Sequence, residues 1–111
     1  MNDLSLDDLT MASFSGVVKT KFRICLAATD VVEAELIETR AGRSAAPAPG
    51  QPRYESFSLL FAAPPVPPLS QRMYRFEHDQ LGRFDLFIVP VGYGPGVAHY
   101  EAVLNRPAKA A

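Results

Sequence analysis

Apolar and polar residues alternate with a period of two through most of this chain, and that pattern constrains the fold more than any motif does. In the segment KTKFRICLA, Phe22, Ile24 and Leu26 alternate with Lys21 and Arg23. Successive side chains of a strand point to opposite faces, so this alternation predicts a strand with one buried face. The pattern recurs in VVEAELIETR, YESFSLLFA, QRMYRFEH, GRFDLFIVPVG and HYEAVLN.

Six such segments predict an all-β fold, a small antiparallel barrel or sandwich of about six strands with a short N-terminal helix. The sequences DQLG and GYGPG predict tight turns between strands. Opposite charges predict antiparallel pairing of the first two strands, with Lys21 and Arg23 near Glu33 and Glu35. Closure into a barrel is favoured over an open sheet because it removes exposed strand edges.

The 111 residues form a single domain, which we place at residues 1–105. The segment LSLDDLTMASFSG predicts the helix, capped by Ser5 or Asp7 and ended by Gly16, and it docks over one end of the sheet. Residues 40–53 are rich in small residues and proline, which predicts a mobile surface loop, and residues 106–111 are predicted to be a flexible tail.

The stretch FAAPPVPPLS carries the P-x-x-P spacing of peptides that dock into aromatic grooves as a polyproline II helix. It lies between two predicted strands, and proline lacks the N–H that a strand interior needs. We therefore interpret it as a stiff connector that crosses from one strand to the next, with Leu69 turned inward.

Charge and cysteine content exclude several kinds of function. Eleven basic and 12 acidic residues give a net charge of −1, which disfavours strong non-specific binding to nucleic acid. The single cysteine, Cys25, has no partner for an intramolecular disulfide, and no Cys/His cluster has metal-ligand spacing.

The acidic N-terminal sequence lacks signal-peptide features, and no apolar run reaches the length of a membrane span. We therefore expect a cytoplasmic protein.

The best catalytic candidate is the run Glu77–His78–Asp79, because a histidine beside carboxylates can act as a general base. Adjacent strand residues point to opposite faces, however, so Glu77 cannot orient His78 directly. We interpret the run as a strand that enters a turn, where Asp79 bonds to the nearby backbone. The sequence therefore predicts no catalytic residue, no cofactor and no metal site, and it leans against an enzyme.

Several ungapped blocks together resemble a family of small bacterial all-β proteins catalogued as a domain of unknown function. These blocks are FSLLF, then PPLSQ..YRFEH..LG...LFIVPVG, then YEAVLN, with Leu6, Leu9, Thr10 and Phe14 matching the family's opening segment. Leu104 replaces the usual Phe, and the loop at residues 44–52 is extended. The resemblance implies an all-β domain without an established activity. It also suggests that the chain is an accessory partner of a phage-tail-like assembly and that it binds a tail-collar-like protein.

The leading hypothesis is a non-catalytic interaction or structural module. Phe87 and Val89 make the strand LFIVPV apolar on both sides, which predicts that both of its faces are covered. Together with Met73, they form a candidate surface for a protein partner or a second copy of the chain. The alternative occupant of this face is the protein's own N-terminal helix.

Two other classes of function compete with this hypothesis. A small-molecule binder or minor enzyme would use the mouth of a barrel, with Tyr74, Arg75 and His78 as its polar groups, and it requires an enclosed polar cavity. A single-strand nucleic-acid binder resembling an OB-fold would use basic side chains together with exposed aromatic residues. Its candidate basic residues are Lys19, Lys21, Arg23 and Arg75.

Overall fold

A computed structural model describes residues 9–27, 29–42 and 54–107 and shows six strands and one short helix. The elements are α1 (Met11–Ser15), β1 (Lys21–Cys25), β2 (Val31–Ala41), β3 (Tyr54–Ala63), β4 (Arg72–His78), β5 (Gly82–Gly94) and β6 (Val97–Pro107). The predicted all-β class, the six strands and the N-terminal helix are confirmed.

The strands form a closed antiparallel barrel in the order β1-β2-β3-β6-β5-β4, with β4 pairing back to β1. The predicted pairing of the first two strands is confirmed, because Lys21 lies opposite Glu35 and Arg23 lies opposite Glu33. The barrel has two ends, which we name by what covers them. The helix end contains the last residue of β4, His78, and the proline end contains the last residue of β3, Ala63.

Both predicted turns are present, and each depends on a glycine with positive φ. Between β4 and β5, His78 pairs with Gly82 across a three-residue turn, and the φ of Gly82 is 85°. Between β5 and β6, Gly96 has a φ of 74°. Residues with a Cβ rarely adopt this left-handed conformation, which explains why glycine occupies both positions.

The proline-rich segment joins β3 to β4, which lie on opposite sides of the barrel. Residues 64–71 therefore cross the whole proline end. Leu69 is buried beneath this crossing, as predicted, and its N–H donates to the hydroxyl of Tyr100 at 2.9 Å. The hydroxyl of Tyr74 donates to the carbonyl of Ser70 at 3.1 Å. The two tyrosines thus hold the connector in place, which supports its interpretation as a stiff joint.

The helix begins later than the sequence analysis predicted. Its N-cap is Thr10, whose side-chain oxygen accepts from the backbone N–H of Ser13. The Ser13 hydroxyl oxygen accepts in turn from the Thr10 N–H, which completes a reciprocal capping box. The predicted caps, Ser5 and Asp7, lie outside the described residues. The predicted end at Gly16 is confirmed as the C-cap.

Phe14 projects from this helix into the helix end of the barrel and is fully buried. Its ring centroid lies 6.0 Å from that of Phe57 and 5.7 Å from that of Phe84. The ring of Phe76 stacks on Phe84, with their centroids 6.2 Å apart, and also packs against Phe61. The helix thus closes this end of the barrel with an aromatic side chain that continues the core.

The inward faces of the strands follow the predicted alternation. Their buried residues include Phe22, Ile24, Val32, Ala34, Leu36, Phe57, Leu59, Phe61, Tyr74, Phe76, Phe84, Leu86, Ile88, Tyr100, Ala102 and Leu104. In β2 the register shifts between Leu36 and Glu38, a bulge that the alternation did not reveal.

The ends of two strands also differ from the predicted boundaries. β2 continues to Ala41, into the segment predicted as a loop, and β6 continues to Pro107, beyond the predicted start of the tail. Residues 43–53 and 108–111 lie outside the described residues.

Candidate functional site

The hairpin of β4 and β5 presents an exposed apolar pair on its outer face. Met73 and Phe87 lie directly opposite each other in the register, and they are 54% and 45% exposed. The inward neighbours Tyr74 and Leu86 are also paired, and both are buried. The hairpin therefore contributes one apolar layer to the core and leaves a second apolar pair on the surface.

The next two outward pairs of this hairpin are charged, and each combines opposite signs. Arg75 lies opposite Asp85, and its Nε donates to the Asp85 carboxylate at 3.0 Å. Glu77 lies opposite Arg83 one step further toward the turn. We call these three outward pairs the outer ladder; its residues are Met73, Arg75, Glu77, Arg83, Asp85 and Phe87.

Both faces of β5 were expected to be covered. The described residues of the chain instead leave its outer face partly exposed. Phe87 is exposed, and Val89 is half-buried opposite Glu101 of β6. The described helix contacts β2 at the helix end, and its Phe14 enters the barrel interior. The described part of the N-terminal helix, the alternative occupant of this face, therefore packs elsewhere.

The three residues of the competing polar site do not converge. Tyr74 and His78 are buried on the inner face of β4, whereas Arg75 projects from the outer face to Asp85. The buried ring of Phe76 lies between the two inward residues in the strand. No common mouth brings these polar groups together.

His78 forms a complete set of hydrogen bonds to the protein. Its Nδ1 accepts from the backbone N–H groups of Gln80 and Leu81 at 3.0 and 3.3 Å. Its Nε2 therefore carries the proton and donates to Thr20 Oγ1 at 2.8 Å, and the Thr20 hydroxyl donates in turn to the carbonyl of Val17. Both ring nitrogens are engaged in hydrogen bonds within the protein. His78 is therefore arranged for a structural role, because a general base needs a ring nitrogen that can accept a proton from a substrate.

Burial lowers the pKa of His78, since the imidazolium ion would lose its hydration in the barrel. The nearby Asp79 carboxylate raises this pKa in part, and Arg23 lowers it further. The prediction that the Asp79 side chain bonds to the nearby turn backbone is wrong, because a different residue makes these bonds. His78 accepts the turn N–H groups, and the Asp79 carboxylate instead pairs with Arg23 at 3.0 Å.

Three of the four basic residues considered for nucleic-acid binding lie beside carboxylates of the described residues; Lys19 is the exception. Lys21 lies 3.9 Å from Glu35, Arg23 pairs with Glu77 and Asp79, and Arg75 pairs with Asp85.

Cys25 is half-buried. Burial raises the pKa of its thiol, and the charge of Glu77 raises it further. A raised thiol pKa opposes thiolate formation, which a nucleophile would need.

The described part of the chain lacks both a metal-binding cluster and a membrane-spanning helix. No group of three or more His, Cys, Asp or Glu residues there is arranged to hold a metal ion. None of its helices has the length and apolar character required to cross a membrane.

Met73 and Phe87 are predicted from the sequence as surface residues, but the charged pairs that extend their row are not. A signal for these pairs is present in the sequence. The DQLG turn joins His78 to Gly82, and counting back along both strands from that pair places Arg75 opposite Asp85 and Met73 opposite Phe87. The partner of His78 offers no such signal, because Thr20 is distant in the chain.

Comparison with known proteins places the chain in a family but does not assign an activity. Residues 9–104 match the family described as "Domain of unknown function (DUF6916)", and the chain belongs to that family. No curated protein matches the chain. No solved structure matches it either.

Proposed function

We propose that this member of the DUF6916 family is a non-catalytic interaction module that binds a protein through its outer ladder. The observation that carries the proposal is the exposed, directly paired Met73 and Phe87 on a barrel whose interior is filled by its own side chains. Large apolar side chains are common at the centres of protein interfaces, where their burial contributes much of the affinity.

The filled interior disfavours the competing small-molecule function. The rings of Phe22, Phe61, Phe76 and Phe84 contact one another inside the barrel. Phe14 continues this cluster at the helix end, and Leu69 is buried beneath the connector at the proline end. A binding site in a barrel mouth needs an enclosed space with convergent polar groups, and the described interior is instead occupied by aromatic rings.

Covering the apolar pair would add a favourable hydrophobic contribution to the free energy of an interface. Complete burial of a Met or Phe side chain contributes about 1.5–3 kcal/mol, and both residues already have about half of their surface covered. Covering the rest of both side chains therefore contributes roughly 1.5–3 kcal/mol. The flanking charged pairs would then form a polar rim that favours one orientation of the partner.

A finer version of the proposal is that the protein is an accessory partner of a phage-tail-like assembly. Its support is the family resemblance described above, which suggests a tail-collar-like protein as the partner.

Photocrosslinking tests the proposed function. A benzoylphenylalanine residue placed at position 87 is activated in cells that produce the protein naturally, and crosslinked species are identified by mass spectrometry. The matched control carries the same residue at position 31, where Val31 is 48% exposed on β2, a strand outside the outer ladder. We expect one defined crosslinked protein from position 87 and none from position 31.

The result also tests the finer version. A tail-collar-like protein in the crosslinked band supports the assembly role, whereas any other defined partner supports only the interaction module. If position 87 yields no crosslink above that of position 31, the proposed function is wrong.

A further inference from the structure

We infer that the outer ladder binds a second copy of the chain, packed face to face about a twofold axis that runs parallel to the strands between β4 and β5. The inference rests on the proposed function and names the partner of the same surface. It follows from the way in which the outward residues are paired.

A twofold axis in this position exchanges the two strands of the hairpin. Each outward residue of β4 then faces the partner's copy of the residue that lies opposite it in its own sheet. Met73 would face the partner's Phe87, and Arg75 would face the partner's Asp85. Because each register pair is apolar with apolar or cation with anion, the surface is complementary to itself under this rotation.

Glu77 and Arg83 extend the complementarity by one further pair. They also lie opposite each other in the register, so the same axis places Glu77 against the partner's Arg83. Three consecutive outward pairs thus satisfy a single symmetry operation, as a closed twofold interface requires.

The balance of charge favours a copy of the chain over a strongly charged partner. The outer ladder contains two cations, Arg75 and Arg83, and two anions, Glu77 and Asp85. An acidic or a basic partner would gain attraction from one pair of charges and repulsion from the other. A second copy presents the same alternating charges and meets each one with its opposite.

The charged pair beside the apolar centre is accessible for this role. The side chains of Arg75 and Asp85 are 54% and 55% exposed, although they bond to each other within the hairpin. Arg75 has several N–H donors, and its Nε makes the intrachain bond. Its guanidinium can therefore donate to the partner's carboxylate while it keeps its own.

A charge-exchange experiment tests the inference. Arg75→Asp and Asp85→Arg are prepared separately, and their masses in solution are measured by light scattering, alone and mixed in equal amounts. In a dimer of Arg75→Asp alone, the introduced carboxylate faces the partner's Asp85. In Asp85→Arg alone, two cations meet at each of the two contacts. We expect each variant to weaken self-association at least tenfold and the mixture to restore a dimer.

The mixture separates an interface effect from a folding effect. One variant carries only carboxylates at these two positions and the other carries only guanidinium groups, so a mixed dimer has an opposite-charge pair at both contacts. The double variant Arg75→Asp with Asp85→Arg should also dimerise by itself. A control exchanges the charged pair of β1 and β2 that lies outside the outer ladder, Lys21→Glu with Glu35→Lys, and should leave the dimer unchanged.

The result distinguishes this inference from the proposed function. A wild-type chain that stays monomeric at every concentration measured, or a mixture that stays monomeric although both variants are folded by circular dichroism, overturns the twofold dimer. If crosslinking at position 87 then still captures a different protein, the interaction module stands without the dimer. If it captures nothing, both proposals fail.

Discussion

Thr20 Oγ1 and His78 Nε2 lie 2.8 Å apart and connect the helix-to-β1 segment to the start of the β4–β5 turn. The imidazole bonds on its other side to the backbone of the turn, and Thr20 bonds on its other side to Val17. One buried histidine therefore joins the two segments that close the helix end of the barrel. The strand alternation predicts that His78 is inward, and this chain of bonds explains how a polar side chain is accommodated there.

Substitution of Thr20 by Val should destabilise the fold, because the shape is kept while the acceptor for His78 Nε2–H is lost. A buried donor left without a partner costs about 1–3 kcal/mol, so we expect a loss of this size in the free energy of unfolding measured with urea. The control is Thr20→Ser, which keeps the hydroxyl and should lose less. Equal losses from the two substitutions would show that the hydroxyl does not matter.

The pH dependence of stability should carry the signature of a histidine kept neutral. Burial holds the pKa of His78 in the folded state below its unfolded value of about 6.5. Between these two values the unfolded chain binds a proton that the folded chain does not. The contribution of His78 is therefore fully present above pH ~6.5 and is lost as the pH falls through the folded-state pKa.

The control for this pH dependence is His78→Asn. The Asn side-chain oxygen can accept from the turn N–H groups in place of Nδ1, but it does not titrate. We expect the urea-derived stability of the wild type to decrease more steeply than that of the variant as the pH falls below about 6.5. Parallel curves for the two proteins would contradict the account. An NMR titration of the wild-type imidazole locates the folded-state pKa directly.

How far the sequence predicts this fold depends on whether the information is local. Alternation alone predicts that Phe22, Ile24, Phe76 and Leu86 face the core, and all four are buried, since strand periodicity needs only near neighbours. The strand order could not be derived in this way. It depends on the connector of residues 64–71 crossing to the far side of the barrel, and no local pattern encodes that destination.

Each wrong prediction has its own physical cause. The cap at Thr10 depends on a reciprocal bond with Ser13, a pattern that competed with several acidic and serine residues upstream. The outer face of β5 was predicted to be covered because Phe87 and Val89 are apolar, but apolarity does not reveal whether the cover comes from the same chain. For the candidate site, the apolar members could be predicted, whereas their charged neighbours required the register.

Tyr100→Phe should loosen the proline end. The Tyr100 hydroxyl is the acceptor for the buried N–H of Leu69, so its removal leaves that donor without a partner. We expect a loss of about 1–3 kcal/mol in the free energy of unfolding and faster hydrogen exchange of the Leu69 amide. Tyr93→Phe is the matched control, because Tyr93 is 63% exposed, and it should change the stability by less than about 0.5 kcal/mol. Unchanged exchange at Leu69 would contradict the role of Tyr100.

Phe14→Ala and Phe87→Ala compare the same substitution in two environments. Phe14 is fully buried between Phe57 and Phe84, so its truncation leaves a cavity and should cost about 3–5 kcal/mol. Phe87 is 45% exposed on the outer ladder, and its truncation should cost far less in the isolated chain. Chemical denaturation measures both values. Similar losses would indicate either that Phe14 does not fill the helix end or that Phe87 supports the core.

Hydroxyl-radical footprinting tests directly whether the outer ladder is an interaction surface. The protein is labelled inside cells that produce it naturally and again after purification and dilution, and the oxidation of each side chain is compared by mass spectrometry. Tyr93 and Val66 serve as exposed references outside the outer ladder. We expect Met73 and Phe87 to be protected in cells relative to these references and to become reactive on dilution. Equal reactivity of Met73 and Phe87 under both conditions would contradict the claim that the outer ladder is an interaction surface.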